Sequence, residues 1–333
     1  MDDPTGGSPT GPQVTVILPA FERPATTRVA IASALGQRYE DFVLVVGDDS
    51  RSDAVEEVVR SFDDARIRYH RNATQLGAKG NWIDLLRRAE TPFVASLNDD
   101  DEWTPELLER LVPPLLEHPE VVVAFGDFVL VDKDGRTLPE LTAELSQRTR
   151  RDRIPRGVVG RDRAEGVRLV AAWNAPQPAI CAVLRADAVR DIEFPDEVTS
   201  IHDLWLSYQV VMRGGAFHYS PEQLARYRWH EDSLTQTRGF SDEEDHVFGR
   251  IVAENLDHPA AVEEVRRYWA FIRWGRAVRA MAHPDGEAVS RRELAAAAPD
   301  LRWHQQLVAR VASRSSIAWR AAAALRRLRR RDT

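Results

Sequence analysis

Residues 93–105 read FVASLNDDDEWTP, an apolar run that passes directly into an asparagine and three consecutive aspartates. The apolar half is typical of a buried strand, and Pro105 favours a helix that begins close to it. Carboxylates crowded on one turn repel one another, so the cluster needs a cation or open water to stay ionised. Two interpretations follow: a solvated acidic turn ahead of a helix, or a site for a hard cation such as Mg²⁺ or Mn²⁺, which usually arrives with phosphates.

Short β-branched runs alternate with helical periods before this stretch. Strands are predicted over residues 14–18, 42–46, 67–70 and 93–97, and helices over residues 24–35, 53–61 and 78–89. This alternation predicts an α/β fold with a single Rossmann-like, mostly parallel sheet flanked by helices. Ligands of such sheets bind at the carboxyl ends of the strands. Three predicted strand ends, at residues 19–21, 48–50 and 98–101, should therefore line one crevice.

The chain beyond Pro105 has a less regular pattern. Residues 121–131 form a long apolar run that predicts a strand, and residues 132–135 have the signature of a hairpin turn. The polar, arginine-rich residues 141–163 predict an irregular, mobile loop. Further along, the spacing predicts a helix over residues 203–212 and strands over residues 216–219 and 224–229.

The amino-acid composition changes before residue 13 and again after residue 240. Residues 1–12 are rich in Gly, Pro, Thr and Asp and have no apolar stretch, so we predict a disordered leader rather than a signal peptide. One α/β domain is predicted over residues 13–240. Residues 241–333 are rich in Ala, Arg and Glu, which predicts a helical C-terminal extension.

The charge balance of the 333 residues is close to even. The 45 basic and 52 acidic side chains give a net charge of −7, which does not indicate a nucleic-acid partner. The single cysteine, Cys181, excludes an internal disulfide and a zinc cluster, and its apolar neighbours predict a buried side chain. No window reaches the roughly 18 apolar residues that a membrane span needs. We therefore predict a cytoplasmic protein.

The C-terminal segment leaves several alternatives open. Between residues 313 and 331, seven arginines stand among apolar side chains. This pattern is typical of a basic amphipathic helix on an anionic membrane surface, and also of a solvated arginine-rich helix. Aromatic side chains in residues 262–281 predict packing against the rest of the chain or against a second subunit. Peripheral membrane contact and a homodimer through the C-terminal helices are therefore both open.

Three motifs in succession resemble the family 2 glycosyltransferases of GT-A fold. They are VTVILPAFER at residues 14–23, VVGDDS at residues 45–50 and the acidic stretch that ends at Pro105. Weaker matches extend to about residue 237, and WNAP at residues 173–176 resembles a segment of the spore-coat polysaccharide-type members. The resemblance implies a GT-A catalytic domain over residues 13–240. Its nucleotide-binding half would be residues 13–104 and its acceptor half residues 105–240.

The resemblance also implies how a nucleotide would be held. In this family a Pro-x-Phe/Tyr turn and the acidic residue that ends the second strand bind the base. The corresponding residues are Pro19, Phe21 and Asp49, where the ring can lie on a pyrimidine and the carboxylate can accept the N3 hydrogen. Lys79 lies in a segment, residues 72–81, that resembles the family segment with a basic residue directed at the donor, and Arg23, just past the Pro-x-Phe turn, could reach the same phosphates. A UDP-sugar and a dTDP-sugar fit this description equally well.

The acidic stretch departs from the family pattern, in which many members read Leu-Asp-x-Asp-Asp-x-Trp-x-Pro. The first acidic position is Asn98 here, and an amide gives no charge to a metal. Asp100 then becomes the direct ligand for Mg²⁺ or Mn²⁺, while Asn98 or Asp99 faces the donor ribose. Asp101 would support the site or bind the metal through water. His230 would complete the metal shell or bind a phosphate oxygen.

The family's general base corresponds to Asp203, because residues 200–206 resemble its Glu-Asp motif. His202 stands where Glu is usual, and a histidine there would orient Asp203 or titrate near neutral pH. Trp173, Asn174 and Arg228 correspond to positions on the acceptor or diphosphate side. The acceptor is not identified by the sequence.

Taken together, the resemblance implies an inverting glycosyltransferase. It would move a sugar from a nucleotide diphosphate to an acceptor hydroxyl by metal-assisted single displacement, in polysaccharide, glycan or natural-product biosynthesis. Two alternatives remain: a non-catalytic nucleotide-sugar-binding module, and a partner subunit of a polysaccharide-synthesis complex. Asp100 and Asp203 favour the enzyme, whereas Asn98 and His202 leave room for the binding module. A sugar-nucleotide pyrophosphorylase is disfavoured, because a Gly-rich loop is missing after the first strand.

Overall fold

The computed structural model describes residues 11–229, 241–281 and 286–315, without the side chains at positions 241, 242, 303 and 304. The chain divides into two compact units, the first ending at Glu243 and the second beginning at Glu244. The predictions made for residues 1–10, for His230 and for the arginines beyond residue 315 fall outside the described residues.

The first unit begins with the predicted alternation of parallel strands and helices. The elements are β1 (Val14–Ala20), α1 (Pro24–Leu35), β2 (Phe42–Asp48), α2 (Ala54–Arg60), β3 (Ile67–Arg71), α3 (Gly77–Arg88) and β4 (Phe93–Ser96). Their strands lie side by side in the order β3-β2-β1-β4, all parallel. The predicted elements of this region are confirmed, with bounds that differ by at most two residues.

The remaining strands complete a nine-stranded mixed sheet. They and their helices are β5 (Glu102–Trp103), α4 (Leu107–Glu117), β6 (Val121–Val131), α5 (Pro139–Arg148), β7 (Gly157–Val159), α6 (Arg163–Val167), β8 (Ala182–Arg185), α7 (Ala186–Val189), α8 (His202–Met212) and β9 (Ala216–Arg228). The sheet order is β3-β2-β1-β4-β8-β6-β9-β5, and β7 pairs with β9. Strand β8 runs antiparallel to both of its neighbours, so the parallel half of the sheet ends at β4.

The two strands predicted near the end of this unit are one continuous strand, β9. Its register with β6 shifts where Ser220 pairs with Gly126 and Gln223 pairs with Asp127, so Pro221 and Glu222 bulge out of the ladder. A bulge removes alternation locally without ending the strand, which explains why the sequence pattern divides it.

The prediction of an irregular loop over residues 141–163 is wrong. This region contains α5, a 3₁₀ turn at Arg151–Arg153 and β7. The polar composition is misleading because Arg151 points inward and is only 5% exposed. Its guanidinium donates to the carbonyls of Gly126 and Ala175 and to Asp127 Oδ1 at 2.6–2.9 Å. A buried arginine that is paired in this way orders the segment around it.

The second unit is helical in its described part. Helix α9 (Ser241–Glu254) crosses the division, and α10 (Pro259–Ala280), α11 (Glu287–Ala297) and α12 (Trp303–Arg314) follow. Helices α10 to α12 share a core built mainly from alanine side chains, among them Ala270, Ala277, Ala297 and Ala309. Across the described helices of both units, none has the length and apolar composition needed to cross a bilayer.

Candidate functional site

The carboxyl ends of β1, β2 and β4 are joined by hydrogen bonds. The backbone N–H of Phe21 donates to Asp99 Oδ2 at 2.9 Å, and that of Asp49 donates to the carbonyl of Ala20 at 3.0 Å. The Phe21 side chain is 49% exposed at this junction. An exposed phenylalanine beside carboxylates offers an apolar face to a planar ligand.

The turn after Phe21 is held in an unusual conformation. Glu22 has a φ of +52°, in the left-handed region. Its N–H donates to Ser50 Oγ at 2.8 Å, and its carboxylate accepts hydrogen bonds from the Ser52 hydroxyl and from the N–H groups of Arg51 and Ser52. These hydrogen bonds, that of Ser52 first, lower the pKa of Glu22. The β1 and β2 loops are thereby fixed to each other.

Asp49 lies buried beneath this junction and stabilises the start of α3. Its Oδ1 accepts from Asn72 Nδ2 at 2.9 Å and from Leu76 N at 2.8 Å, and its Oδ2 accepts from Gly77 N at 2.8 Å. An ionised carboxylate has about four acceptor positions. Oδ2 therefore keeps one acceptor position for a further donor.

Asp99 and Asp100 share one cation, the guanidinium of Arg23. Arg23 Nη1 lies 2.7 Å from Asp100 Oδ2 and 3.2 Å from Asp99 Oδ1. Burial and the charge of Asp100 raise the pKa of Asp99 to about 7, although Arg23 and the Phe21 N–H oppose the shift. The Asp100 side chain is 15% exposed, compared with 8% for Asp99. Asp100 is thus the more accessible of these two carboxylates.

Asp101 is held on both sides by the protein. Its Oδ1 accepts from Arg228 N and its Oδ2 accepts from Asn98 Nδ2, both at 2.9 Å. It is 1% exposed, and burial raises its pKa well above the usual range. The Asn98 amide, which departs from the family pattern, thus supplies a hydrogen bond where a carboxylate would have added repulsion.

Arg228 fastens the acidic stretch to the rest of the sheet. Its Nε donates to the carbonyl of Asp100 at 2.9 Å, and Nη2 donates to Glu102 Oε1 at 2.8 Å. Nη1 donates to the carbonyls of Asp132 and Lys133. The side chain is buried, so the structure gives its guanidinium a set of internal partners rather than an open position toward a diphosphate.

The donor set of this region can be tested against a divalent cation. Within the described part of the chain, no group of three or more His, Cys, Asp and Glu side chains is arranged to hold a metal ion by itself. Mg²⁺ usually takes only one or two protein carboxylates and fills its shell with phosphate oxygens and water. Asp100, with Asp99 beside it, matches that mode, whereas Asp101 is 1% exposed and hydrogen-bonded to the protein through both oxygens. The residues therefore fit a cation that arrives with a diphosphate.

A second group of residues lies at the start of α8 and is linked to β4 through Trp82. The Trp82 indole N–H donates to Ser96 Oγ at 2.9 Å, two residues before Asn98. The ring of His202 lies 4.8 Å from that of Trp82, centroid to centroid. Trp82 thus connects the first turn of α8, which carries Asp203, to the strand that leads into the acidic stretch.

His202 and Asp203 are neighbours with opposite pKa shifts. Burial lowers the pKa of His202, whose buried Nδ1 has no hydrogen-bond partner among the residues that the structure describes. Burial raises the pKa of Asp203, and the neighbouring histidine opposes that shift. Asp203 Oδ1 accepts from Leu204 N at 2.8 Å. A neutral imidazole beside a carboxylate of raised pKa leaves that carboxylate a stronger base than an ordinary aspartate.

The segment before α8 is ordered by Glu243. Glu243 Oε1 accepts from the N–H groups of Thr199, Ser200 and Ile201 at 2.6–2.9 Å, and Oε2 accepts from the Thr199 hydroxyl at 2.7 Å. Four hydrogen bonds to one carboxylate hold the entry to α8 in a fixed position. No signal in the sequence identifies this residue, because its partners are more than 40 positions away.

The other candidate residues have different surroundings. Lys79 Nζ donates to the carbonyl of Pro195 at 2.8 Å, on the segment that leads to α8. Asn174 has a φ of +47°, and the Arg150 guanidinium lies 6.0 Å from the Trp173 ring centroid. Trp173 and Asn174 thus belong to the region around Arg150 and Arg151. Pro19 lies within β1, paired with Gly47 of β2.

Cys181 is buried as predicted, and burial raises the pKa of its thiol to about 12. A thiol of this pKa stays protonated and does not act as a nucleophile at neutral pH.

Comparison with known sequences finds a family profile that matches part of the chain. The sequence profile described as "Glycosyl transferase family 2" matches residues 15–166. GalNAc(5)-diNAcBac-PP-undecaprenol beta-1,3-glucosyltransferase of Campylobacter jejuni is 34% identical over 136 residues, which are 40% of this chain and 43% of that protein. UDP-Glc:alpha-D-GlcNAc-diphosphoundecaprenol beta-1,3-glucosyltransferase WfgD of Escherichia coli is 30% identical over 122 residues, which are 37% and 48% of the two chains. The matched segment spans less than half of either relative.

Solved structures extend the likeness to the fold of nearly the whole chain. TarS residues 1–349 of S. aureus superposes with a TM-score of 0.64 and 16% identity, covering 95% of this chain and 91% of that one. The mannosyltransferase PcManGT of Pyrobaculum calidifontis superposes with a TM-score of 0.52 and 16% identity, covering 96% and 87%. At these identities the likeness concerns the fold alone. Residues 15–166, which include the strand ends that form the site, match the profile of glycosyltransferase family 2, and the chain has the GT-A fold.

Proposed function

We propose that this chain is an inverting glycosyltransferase that moves a sugar from a UDP- or dTDP-sugar to an acceptor hydroxyl during the synthesis of a polysaccharide or another glycan. The observation that carries the proposal is the junction of three strand ends. There an exposed Phe21 lies beside the buried Asp49 and the acidic stretch. An aromatic surface, a hydrogen-bond acceptor and carboxylates for a cation are the three things that a nucleoside diphosphate requires.

The nucleoside would bind at Phe21 and Asp49. The half-exposed ring of Phe21 lies against the base, and Asp49 Oδ2 accepts the N3 hydrogen of uracil or thymine with its remaining acceptor position. WfgD is named for a UDP-Glc donor, and a TarS structure contains UDP-GlcNAc. Both names favour UDP over dTDP as the nucleotide that this chain would bind.

The diphosphate would bind at Asp100 and Asp99. A divalent cation bound there, Mg²⁺ or Mn²⁺, would stabilise the negative charge of the departing diphosphate. Among the solved structures of the same fold, PcManGT is in complex with GDP-Man and Mn²⁺. Asp101, Asn98 and Arg228 keep the acidic stretch in position through their mutual hydrogen bonds.

The acceptor hydroxyl would be activated by Asp203. In a single displacement, the bond between the sugar C1 and the phosphate oxygen breaks as the bond from C1 to the acceptor oxygen forms, and the configuration inverts. The acceptor proton passes to the Asp203 carboxylate, whose raised pKa favours proton uptake. Trp82 and Glu243 fix the first turn of α8, so the carboxylate has a defined position.

The names of the two relatives support a proposal for the class of acceptor. Both are named for glycans linked to undecaprenyl through a diphosphate. We therefore propose a polyprenyl-diphosphate-linked glycan as the acceptor class and a position at the membrane surface, where such a substrate lies.

The test is the thermal stability of the protein with UDP, dTDP, GDP and CDP, each with and without Mn²⁺. A ligand that binds only the folded state raises the melting temperature, and the increase grows with the logarithm of the ligand concentration relative to its Kd. We expect UDP or dTDP with Mn²⁺ to give the largest increase, and GDP and CDP to give less. The proposal fails if none of the four nucleotides stabilises the protein.

Replacing Phe21 by alanine tests the base-binding role directly. A stacked base is worth about 1–3 kcal/mol, so we expect Phe21→Ala to weaken UDP binding by about 5- to 150-fold and Phe21→Tyr to retain it. Isothermal titration with UDP and Mn²⁺ measures the change. Phe271 of α10 is similarly exposed, at 47%, so Phe271→Ala is the matched control and should leave the affinity unchanged. Equal affinities of Phe21→Ala and the wild type would contradict the stacking role.

A further inference from the structure

Arg23 is in direct contact with both candidate metal ligands. Its Nη1 contacts Asp100 Oδ2 at 2.7 Å and Asp99 Oδ1 at 3.2 Å. Asp101 is 1% exposed, and its two oxygens accept hydrogen bonds from Asn98 and Arg228. One guanidinium therefore partly neutralises the two carboxylates to which we assign the divalent cation.

The backbone of Arg23 is fixed, but its side chain is partly exposed. The carbonyl of Arg23 accepts from Thr27 N at 3.0 Å and from Thr27 Oγ1 at 2.7 Å, which anchors the residue at the start of α1. The side chain is 38% exposed, compared with 15% or less for its two acidic partners. The guanidinium is thus free to change partners by rotation of its own side chain while the carboxylates stay in place.

A divalent cation and the Arg23 guanidinium compete for Asp100. The Arg23 nitrogen 2.7 Å from Asp100 Oδ2 occupies one acceptor position of that oxygen, and its positive charge repels the metal. Arg23 therefore opposes binding of the metal for as long as it stays at Asp100.

We propose that Arg23 is an internal counter-ion that takes the place of the divalent cation between Asp99 and Asp100 while the donor is absent. When the nucleotide and the cation bind together, Arg23 moves to the donor diphosphate. This inference rests on the proposed function, because the diphosphate is the new partner of Arg23. A guanidinium forms paired hydrogen bonds with phosphate oxygens as readily as with carboxylates.

The exchange links metal binding to nucleotide binding. Without a nucleotide, the metal must compete with Arg23 for Asp100, so its affinity is low. With a nucleotide, Arg23 has a phosphate partner and the competition ends. By linkage, the metal strengthens nucleotide binding by the same factor. While the donor is absent, Arg23 also hinders the two carboxylates from binding a metal that has no substrate.

Binding of Mn²⁺ to Arg23→Gln tests the proposal. Glutamine removes the charge, so we expect this variant to bind Mn²⁺ alone about tenfold more tightly than the wild type, as expected from the loss of one competing charge-assisted hydrogen bond. Arg23→Lys retains a cation and should stay near the wild type. Arg28→Gln, on the exposed face of α1 where Arg28 donates to Ser61 Oγ, is the matched control and should not change. The measurement is titration of free Mn²⁺ by electron paramagnetic resonance.

The same titration in the presence of UDP distinguishes the counter-ion proposal from the glycosyltransferase proposal. We expect the advantage of Arg23→Gln to disappear or reverse with UDP, because the variant lacks the contact to the diphosphate. If Mn²⁺ and UDP bind the wild type but Arg23→Gln binds Mn²⁺ alone no more tightly, the counter-ion role is overturned. Binding too weak to detect in both proteins counts as this result. If UDP binds none of the proteins, the glycosyltransferase proposal itself fails.

Discussion

Asp100→Asn should abolish sugar transfer while leaving the protein folded and able to bind the nucleoside. Asp100 is the more accessible carboxylate of the pair that contacts Arg23, and the neighbouring Asp101 is occupied by Asn98 and Arg228. An amide keeps the size of the side chain but gives no charge to a cation. We expect a loss of about 10²–10³-fold or more in kcat, the range found when a group that stabilises transition-state charge is removed.

Release of UDP from UDP-sugars, measured over a range of Mn²⁺ concentrations, checks this prediction. Titration with UDP in the absence of metal should give the wild-type affinity, which shows that the base pocket is intact. Asp134→Asn is the matched control, since Asp134 lies in an exposed turn beside Lys133. A variant at Asp100 that retains most of the wild-type rate at low Mn²⁺ would remove this residue from the metal site.

Asp203→Asn should reduce kcat by about 10²–10⁴-fold, the usual contribution of a general base. The donor KM should be nearly unchanged, because Asp203 acts on the acceptor. Asp196→Asn, an exposed position seven residues earlier, is the control for the same chemical change. A kcat within a few-fold of the wild type would exclude Asp203 as the base.

The pH dependence of kcat/KM gives a second measurement of the same role. Asp203 acts as a base only when it is deprotonated, so the rate should fall as the pH falls through its pKa. Burial raises this pKa above its ordinary value of 3.8, which places the acid limb above that pH. The limb should be absent from the residual activity of Asp203→Asn. If the wild type and Asp203→Asn show the same acid limb, the limb arises from a group other than Asp203.

The first half of the fold could be predicted from sequence because its signals are local. The periods of β1 to β4 and of α1 to α3 repeat over a few residues each, and the connections between them are short. The insertion of β8 between β4 and β6 has no such signal, since it joins segments that are far apart in the chain. The order around Arg151 was also hidden, because a buried ion pair looks like surface composition in a sequence.

Some residues of the candidate site could likewise be predicted from the sequence, and others could not. Phe21, Asp49 and the acidic stretch stand in motifs whose residues are adjacent in sequence. Trp82 and Glu243 support the site through contacts that only the tertiary structure creates, so no motif contains them. For Arg228, the resemblance implied a role near the diphosphate, whereas the structure shows the guanidinium bound to the protein's own carbonyls and to Glu102.

The left-handed turn at Glu22 has a consequence for conformational entropy. A non-glycine residue in this region costs about 1–3 kcal/mol, which the hydrogen bonds of Glu22 to Ser50, Arg51 and Ser52 offset during folding. Fixing the backbone of one flexible residue on binding would cost about 1–2 kcal/mol. Because the turn that carries Phe21 and Arg23 is already ordered, a ligand does not have to order it. Weakening the hydrogen bonds of Glu22 would therefore lower affinity without removing any contact to the ligand.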